Sequence, residues 1–180
     1  MAVVLVIIAS IAGRQSVTGP GPSGRYETAT LSGGCFWGLQ EMLRQIPGVV
    51  KTTVGYTGGR VPDPTYAMVS SGKTGHVEAV EVTFDPTRLS YEQLLTDFLT
   101  ERNPTRFSDN PESSGRSAIF YHSADQQRVA VLVKQKENQS GKWRLPVTTE
   151  IKAATRFYVA EDYHQDYYRK NFQPGTCSLN

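Results

Sequence analysis

The order in which apolar spacing changes along residues 26–122 restricts this chain more than any other feature. "YETATLS", residues 26–32, is a short β-like run closed by Gly33-Gly34. From Cys35 to Ile46 the residues Phe36, Leu39, Met42, Leu43 and Ile46 recur at helical spacing, and Pro47-Gly48 stops that helix. "VVKTTVGY" reads as a strand, and Gly58-Gly59 opens a long loop through "RVPDPTYAMVSSGKTG". "HVEAVEVTF", His76 to Phe84, alternates Val80, Val82 and Phe84 with Glu81 and Thr83. A capping box, Ser90-x-x-Gln93, starts a helix carrying Tyr91, Leu94, Leu95, Phe98 and Leu99, and "RSAIFYH" is a further strand.

The resulting order is strand, helix, strand, strand, helix, strand. It predicts an α+β fold with a ferredoxin-like split βαβ core (βαββαβ) and C-terminal additions. Those additions are a helix from a second Ser-x-x-Gln box at Ser123, an extended "PVTTEIKAA", and a helix over "VAEDYHQDYYRKNF".

Residues 1–24 form an apolar start followed by a Gly/Pro/Ser-rich linker, and residues 25–180 form one domain with a flexible C-terminal tail. The apolar run from Ala2 to Ala12 is shorter than the ~20 residues a spanning helix needs. Its length suits the core of a signal peptide, with Ser10-Ile11-Ala12 as a small-residue cleavage point, but a basic leading segment is missing. Both readings stand: an exported or membrane-associated protein if residues 1–24 act as a signal, or a divergent terminus on a cytoplasmic one.

Net charge is +2, with 19 basic residues spread along the chain and no run of five or more like charges, so nucleic acid is not an expected partner. No oligomerisation signal is visible, and monomer is the default. Two cysteines, neither in a C-x-x-C pair, exclude a paired-thiol zinc site. They leave one structural bridge, or one reactive thiol with a helper.

Cys35 sits where a strand turns into a helix. Partial positive charge and free N–H groups at a helix start favour thiolate over thiol, and the glycines before it would let a substrate approach the backbone. A buried structural cysteine is the alternative. Phe36 and Trp37 are either core residues or the walls of an apolar pocket beside the sulfur. Glu78 shares a strand face with Val80, Val82 and Phe84, so desolvation raises its pKa and suits it to act as a general acid. Its alternative is a strand-end carboxylate that reaches water. His76-x-Glu78 lacks the P-C-x-x-C half of a zinc deaminase motif, and Glu161-x-x-His164 occurs once, so both read as structural.

Cys35-Phe36-Trp37-Gly38 after Gly33-Gly34 strongly resembles the catalytic stretch of the peptide methionine sulfoxide reductase A family. The resemblance continues in family order through "PGVVKTTVGYTGG", "PDPTY", "GHVEAVEVTFDP", "SYEQLL", "RSAIF", "TTEI" and "AEDYHQDYYRKN", across residues 26–177. It implies reduction of methionine (S)-sulfoxide, free or in oxidised proteins. Cys35 would attack the sulfoxide sulfur and Glu78 protonate the oxygen, with Tyr66 holding it. Phe36 and Trp37 would cradle the substrate methyl. The resemblance further implies a Cys35 sulfenic acid, resolved by Cys177 to a disulfide that thioredoxin or another external dithiol reduces. It implies no metal and no organic cofactor.

Departures cluster around this site. Asn110 takes the place of a substrate-binding aspartate, with Asp109 beside it, while Gly115 and Thr176 replace tyrosines. The second recycling cysteine of the family is absent. They motivate two other readings: an impaired member that binds methionine-like side chains, and an exported domain with a structural Cys35–Cys177 bridge.

Overall fold

The computed structural model describes residues 26–102, 105 and 113–171. Within them the chain runs β1 (Glu27–Ser32), α1 (Phe36–Arg44), β2 (Val49–Thr57), α2 (Tyr66–Ser70), β3 (Val77–Phe84) and α3 (Tyr91–Arg102). It continues with β4 (Ala118–Tyr121), α4 (Ala124–Gln139), β5 (Glu150–Ala153), β6 (Tyr158–Val159), a 3-10 turn at Asp162–His164 and α5 (Tyr167–Asn171). The apolar start at residues 1–24 and the tail after Asn171 lie outside the described residues.

The sheet order is β5-β4-β1-β3-β2-β6. Its middle four strands are antiparallel throughout, and the βαββαβ order expected from the sequence is the one observed. The additions lie at the edges, where β5 joins parallel to β4 and β6 antiparallel to β2.

Alternation along β3 explains how the two faces differ. Val80, Val82 and Phe84 join the main core with Leu39 and Leu43 of α1 and Leu94, Leu95, Phe98 and Leu99 of α3. Val77 and Ala79 instead pack with Ala118 and Phe120 in a smaller cluster under Phe157. Each fully buried Leu or Phe contributes on the order of 2 kcal/mol, so the main cluster fixes α1 and α3 on the sheet.

Both serine caps form: Ser90 Oγ accepts from Gln93 N, and Ser123 Oγ from Gln126 N, each at 3.1 Å. The return half of each box goes elsewhere. Gln126 Oε1 accepts from His122 N and Gln93 Nε2 donates to Asp97.

Two expectations need correction. The long loop after β2 contains α2, started by Thr65, whose side chain accepts from Met68 N. The helix expected over "VAEDYHQDYYRKNF" is broken into β6, the 3-10 turn and α5. Gln165 breaks it: Oε1 accepts from Val54 N, and Nε2 donates to the carbonyls of Val54 and Ala160. A side-chain amide thus continues the edge pairing where β6 ends. Asp166, at φ +56, then takes a left-handed turn before α5 begins.

Candidate active site

β1 ends under the point where α1 begins, and the two glycines make that turn. Gly34 has φ +74, a conformation glycine adopts without strain, and its N–H donates to Gly115 O at 2.9 Å. A Cβ on Gly33 would lie 3.0 Å from the Phe98 ring and 3.8 Å from Arg102 Cγ. Gly33 therefore makes room for α3 rather than for a substrate, which corrects the sequence expectation.

Cys35 is the N-cap of α1, partly exposed, and its side chain makes no capping hydrogen bond. Its carbonyl accepts the first helical N–H, from Leu39, at 3.2 Å. Its sulfur is held in a disulfide. Cys177 lies outside the described residues, as do Asp109, Asn110 and Thr176.

Glu78 reaches the same helix start from β3. Its Oε2 accepts the Phe36 N–H at 3.0 Å, and the residue is only 9 % exposed. Burial pushes its carboxyl pKa up, with the Phe36 N–H opposing. The carboxyl group is mostly withdrawn from water and tied to the helix start. When the group is neutral its proton belongs on Oε1, since Oε2 is the acceptor.

Tyr66 opens α2 and is positioned through its backbone. Its N–H donates to Glu161 Oε1 at 2.9 Å, and Glu161 Oε2 accepts from the Tyr56 hydroxyl at 2.7 Å. Burial pushes Glu161 up, but the Tyr66 N–H and the Tyr56 hydroxyl outweigh it and hold the carboxyl below the usual range. Burial, then the bond to Glu161, drives the Tyr56 phenol far above its ordinary value. Tyr56 is also the cross-strand partner of Glu78. One carboxylate thereby ties β2, α2 and the segment after β6 together beside the other.

The aromatic residues divide the two roles that the sequence left open. Phe36 is a core residue, 1 % exposed, with the rings of Tyr56, Tyr66 and His164 at 5.9, 6.4 and 5.1 Å. Trp37 is half-buried and clamped. Its Nε1 donates to His164 Nδ1 at 3.0 Å, and its ring stacks on Tyr167 at 3.7 Å and 5°. Since Nδ1 accepts, neutral His164 carries its proton on Nε2, which is buried without a hydrogen-bond partner. Burial lowers the His164 pKa, with Glu161 opposing.

These contacts give a half-exposed indole and tyrosine beside a buried carboxyl group and the Cys35 turn. They suit an apolar group carrying one basic oxygen. His76 plays a structural part instead: Nδ1 accepts from Gly59 N, and Nε2 bonds the Val61 carbonyl. Among the described residues, no three His, Cys, Asp or Glu side chains gather as metal ligands.

Glu161, His164, Tyr56 and Tyr167 were not read from the sequence as site residues. Glu161-x-x-His164 did carry a signal, but as a metal half-motif, whereas the pair braces Tyr66 and Trp37.

The peptide methionine sulfoxide reductase family profile matches residues 27–180. A peptide methionine sulfoxide reductase MsrA/MsrB of Vibrio cholerae is 48% identical over 153 residues, 83% of this chain but only 40% of that protein. The MsrA of Methanothermobacter thermautotrophicus is 46% identical over 82% of this chain and 89% of its own length. Among solved structures, reduced Mxr1 from Saccharomyces cerevisiae superposes with a TM-score of 0.76, at 30% identity over 87% of this chain and 91% of that one. Mxr1 has also been solved in complex with Trx2.

Proposed function

The chain belongs to the peptide methionine sulfoxide reductase family, and from that premise we propose that it reduces methionine (S)-sulfoxide with Cys35 as nucleophile and Glu78 as acid. The Cys35 thiolate attacks the sulfoxide sulfur while Glu78 delivers a proton to the oxygen. The oxygen ends on Cys35 as a sulfenic acid and methionine leaves, so the substrate sulfur is reduced as the cysteine is oxidised. Cys177 then attacks the sulfenic sulfur and expels water, leaving a disulfide. An external dithiol, thioredoxin or an equivalent, reopens it and becomes the disulfide itself.

The observation that carries this reading is the Glu78 carboxyl group bound to the N–H of the residue after Cys35. A carboxyl group whose pKa burial raises, one peptide unit from a helix-capping cysteine, supports a role as the proton donor that sulfoxide reduction needs. Trp37, clamped by His164 and Tyr167, supplies a fixed apolar surface for the substrate methyl, with buried Phe36 behind it. Tyr66 orients the oxygen, and Asn110 is a substrate-binding residue by family resemblance. Free methionine sulfoxide and oxidised proteins are both substrates on this reading, and the chain works as a monomer.

The test is a dithiothreitol-driven reaction on racemic methionine sulfoxide, read by chiral separation. The S epimer disappears and the R epimer remains. Binding without consumption of either epimer would overturn the proposal in favour of a binding module. A Cys35 disulfide that resists mild dithiol would favour a structural bridge.

A further inference from the structure

A half-buried guanidinium lies against the Cys35 turn, and the scheme above does not use it. Arg102 is the last residue of α3, and its Nη2 donates to the Cys35 carbonyl at 3.1 Å. That carbonyl also accepts the Leu39 N–H that begins α1. Arg102 Nε is buried and makes no hydrogen bond. None of the described carboxylates forms an ion pair with it. Burial pulls its pKa down, with the Tyr168 phenol opposing, but a guanidinium stays charged at any working pH. A Cβ on Gly33 would press on the Phe98 ring at 3.0 Å and reach the arginine stem only at ordinary contact distance.

A half-buried, incompletely paired cation gains when an anion arises beside it. When the Cys35 disulfide opens, a thiolate is the anion this turn can offer, on the same residue whose carbonyl Arg102 holds. We propose that Arg102 is a positioning residue for Cys35, anchoring its carbonyl and supplying the positive charge that favours its thiolate. Among the described residues, the other titratable groups around the turn are Glu78 from β3, Tyr56 from β2, Tyr66 from α2, His164 from the 3-10 turn, and Tyr167 and Tyr168 from α5. None of them is a permanent cation, and the buried Arg116, which follows Gly115, directs its guanidinium to the Ser113 and Gly75 carbonyls and towards Glu150. Glu78 and the phenols are neutral or negative, and His164 is disfavoured as a cation by burial. A unit charge within several ångströms of a thiol, in a medium of intermediate dielectric, shifts it by about one pH unit.

The inference rests on Cys35 being the nucleophile, but its test reads the thiolate without turnover, so the two can fail separately. The full chain is reduced, freed of reductant and treated with iodoacetamide across pH, with Cys35 alkylation followed by peptide mass spectrometry. The wild-type midpoint is expected below the ordinary ~8.5 for a thiol. Arg102→Met and Arg102→Gln should raise it by about one unit, slowing alkylation at pH 7 by roughly tenfold, while Arg102→Lys restores most of the rate. A wild-type midpoint at or above ~8.5 overturns the proposal whether or not any variant folds. So does a folded Met or Gln variant whose midpoint does not move, or a Lys variant that behaves like Met.

Discussion

The indole N–H of Trp37 donates to Nδ1 of His164 at 3.0 Å, a bond that holds only while that nitrogen is unprotonated. Burial depresses the His164 pKa, which means the folded chain takes up this proton at lower pH than the unfolded chain. Its contribution to stability is whole above the unfolded value of about 6.5 and is lost as pH falls towards the depressed folded value. Below that value the Trp37 bond breaks. KM for the sulfoxide should therefore rise on acidification, in step with a change in Trp37 fluorescence read in a Trp143→Phe background. His164→Gln should remove the fluorescence step, and a step that survives would mean that another group governs the indole.

Glu78 gives a second pH signature of opposite sense. The acid works only when protonated, so the chemical step should slow as pH rises through its raised pKa. Glu78→Gln should lower the single-turnover rate by about 10²–10⁴-fold with little change in substrate affinity. Stability should move the other way. The folded carboxyl group binds its proton more tightly than the unfolded one, so the wild type loses stability as pH climbs above about 4.3. The Gln variant should melt higher at alkaline pH, with the gap closing in acid. Equal melting curves at pH 8 would show that burial of this carboxylate carries no cost.

Gln165 holds the end of the sheet in place of a strand, through three bonds to Val54 and Ala160. Gln165→Leu keeps the size but takes this partner from Val54 N and the Ala160 carbonyl, while the Val54 carbonyl keeps the Ala160 N–H. A loss of about 2–6 kcal/mol in urea unfolding is expected, at roughly 1–3 kcal/mol for each of the two groups left unsatisfied. Hydrogen exchange should speed up from β6 to His164, the segment that carries Glu161. Unchanged exchange there would show that β6 alone holds the segment.

The same residue shows where sequence reasoning stopped. The four core strands, the two crossover helices and the N-terminal caps were legible, because period, turn residues and caps are local signals. Glu78 was legible too, since one carboxylate within an apolar alternation stands out. The broken C-terminal helix was not, because a glutamine folding back onto a strand edge has the same local pattern as one on a helix surface. Nor was the task of Gly33, which is set by Phe98, 65 positions further along. Glu161 and His164 were visible as a pair, but their partners Tyr66 and Trp37 come from remote elements. Only the assembled sheet brings them together.

Gly115 offers a gain-of-function test of the departures around the site. Family resemblance puts a tyrosine here, and a Cβ at Gly115 would meet nothing closer than Gly34 Cα at 3.5 Å, an ordinary contact. Gly115→Tyr should therefore fold normally and raise the single-turnover rate, on the order of tenfold if the hydroxyl aligns with the sulfoxide oxygen. An unchanged rate in a normally folded variant would mean that the existing groups already fill that role.

The central claim is that one thiol removes one oxygen and a second thiol resolves it. Counting the methionine formed by fully reduced protein, with substrate in excess and no added reductant, tests this most directly. The wild type and Cys177→Ser should each release one methionine per chain, the variant stopping at a Cys35 sulfenic acid that a dimedone probe can trap. Cys35→Ser should release none. Methionine formed by Cys35→Ser, or no burst from reduced wild type, would contradict the account.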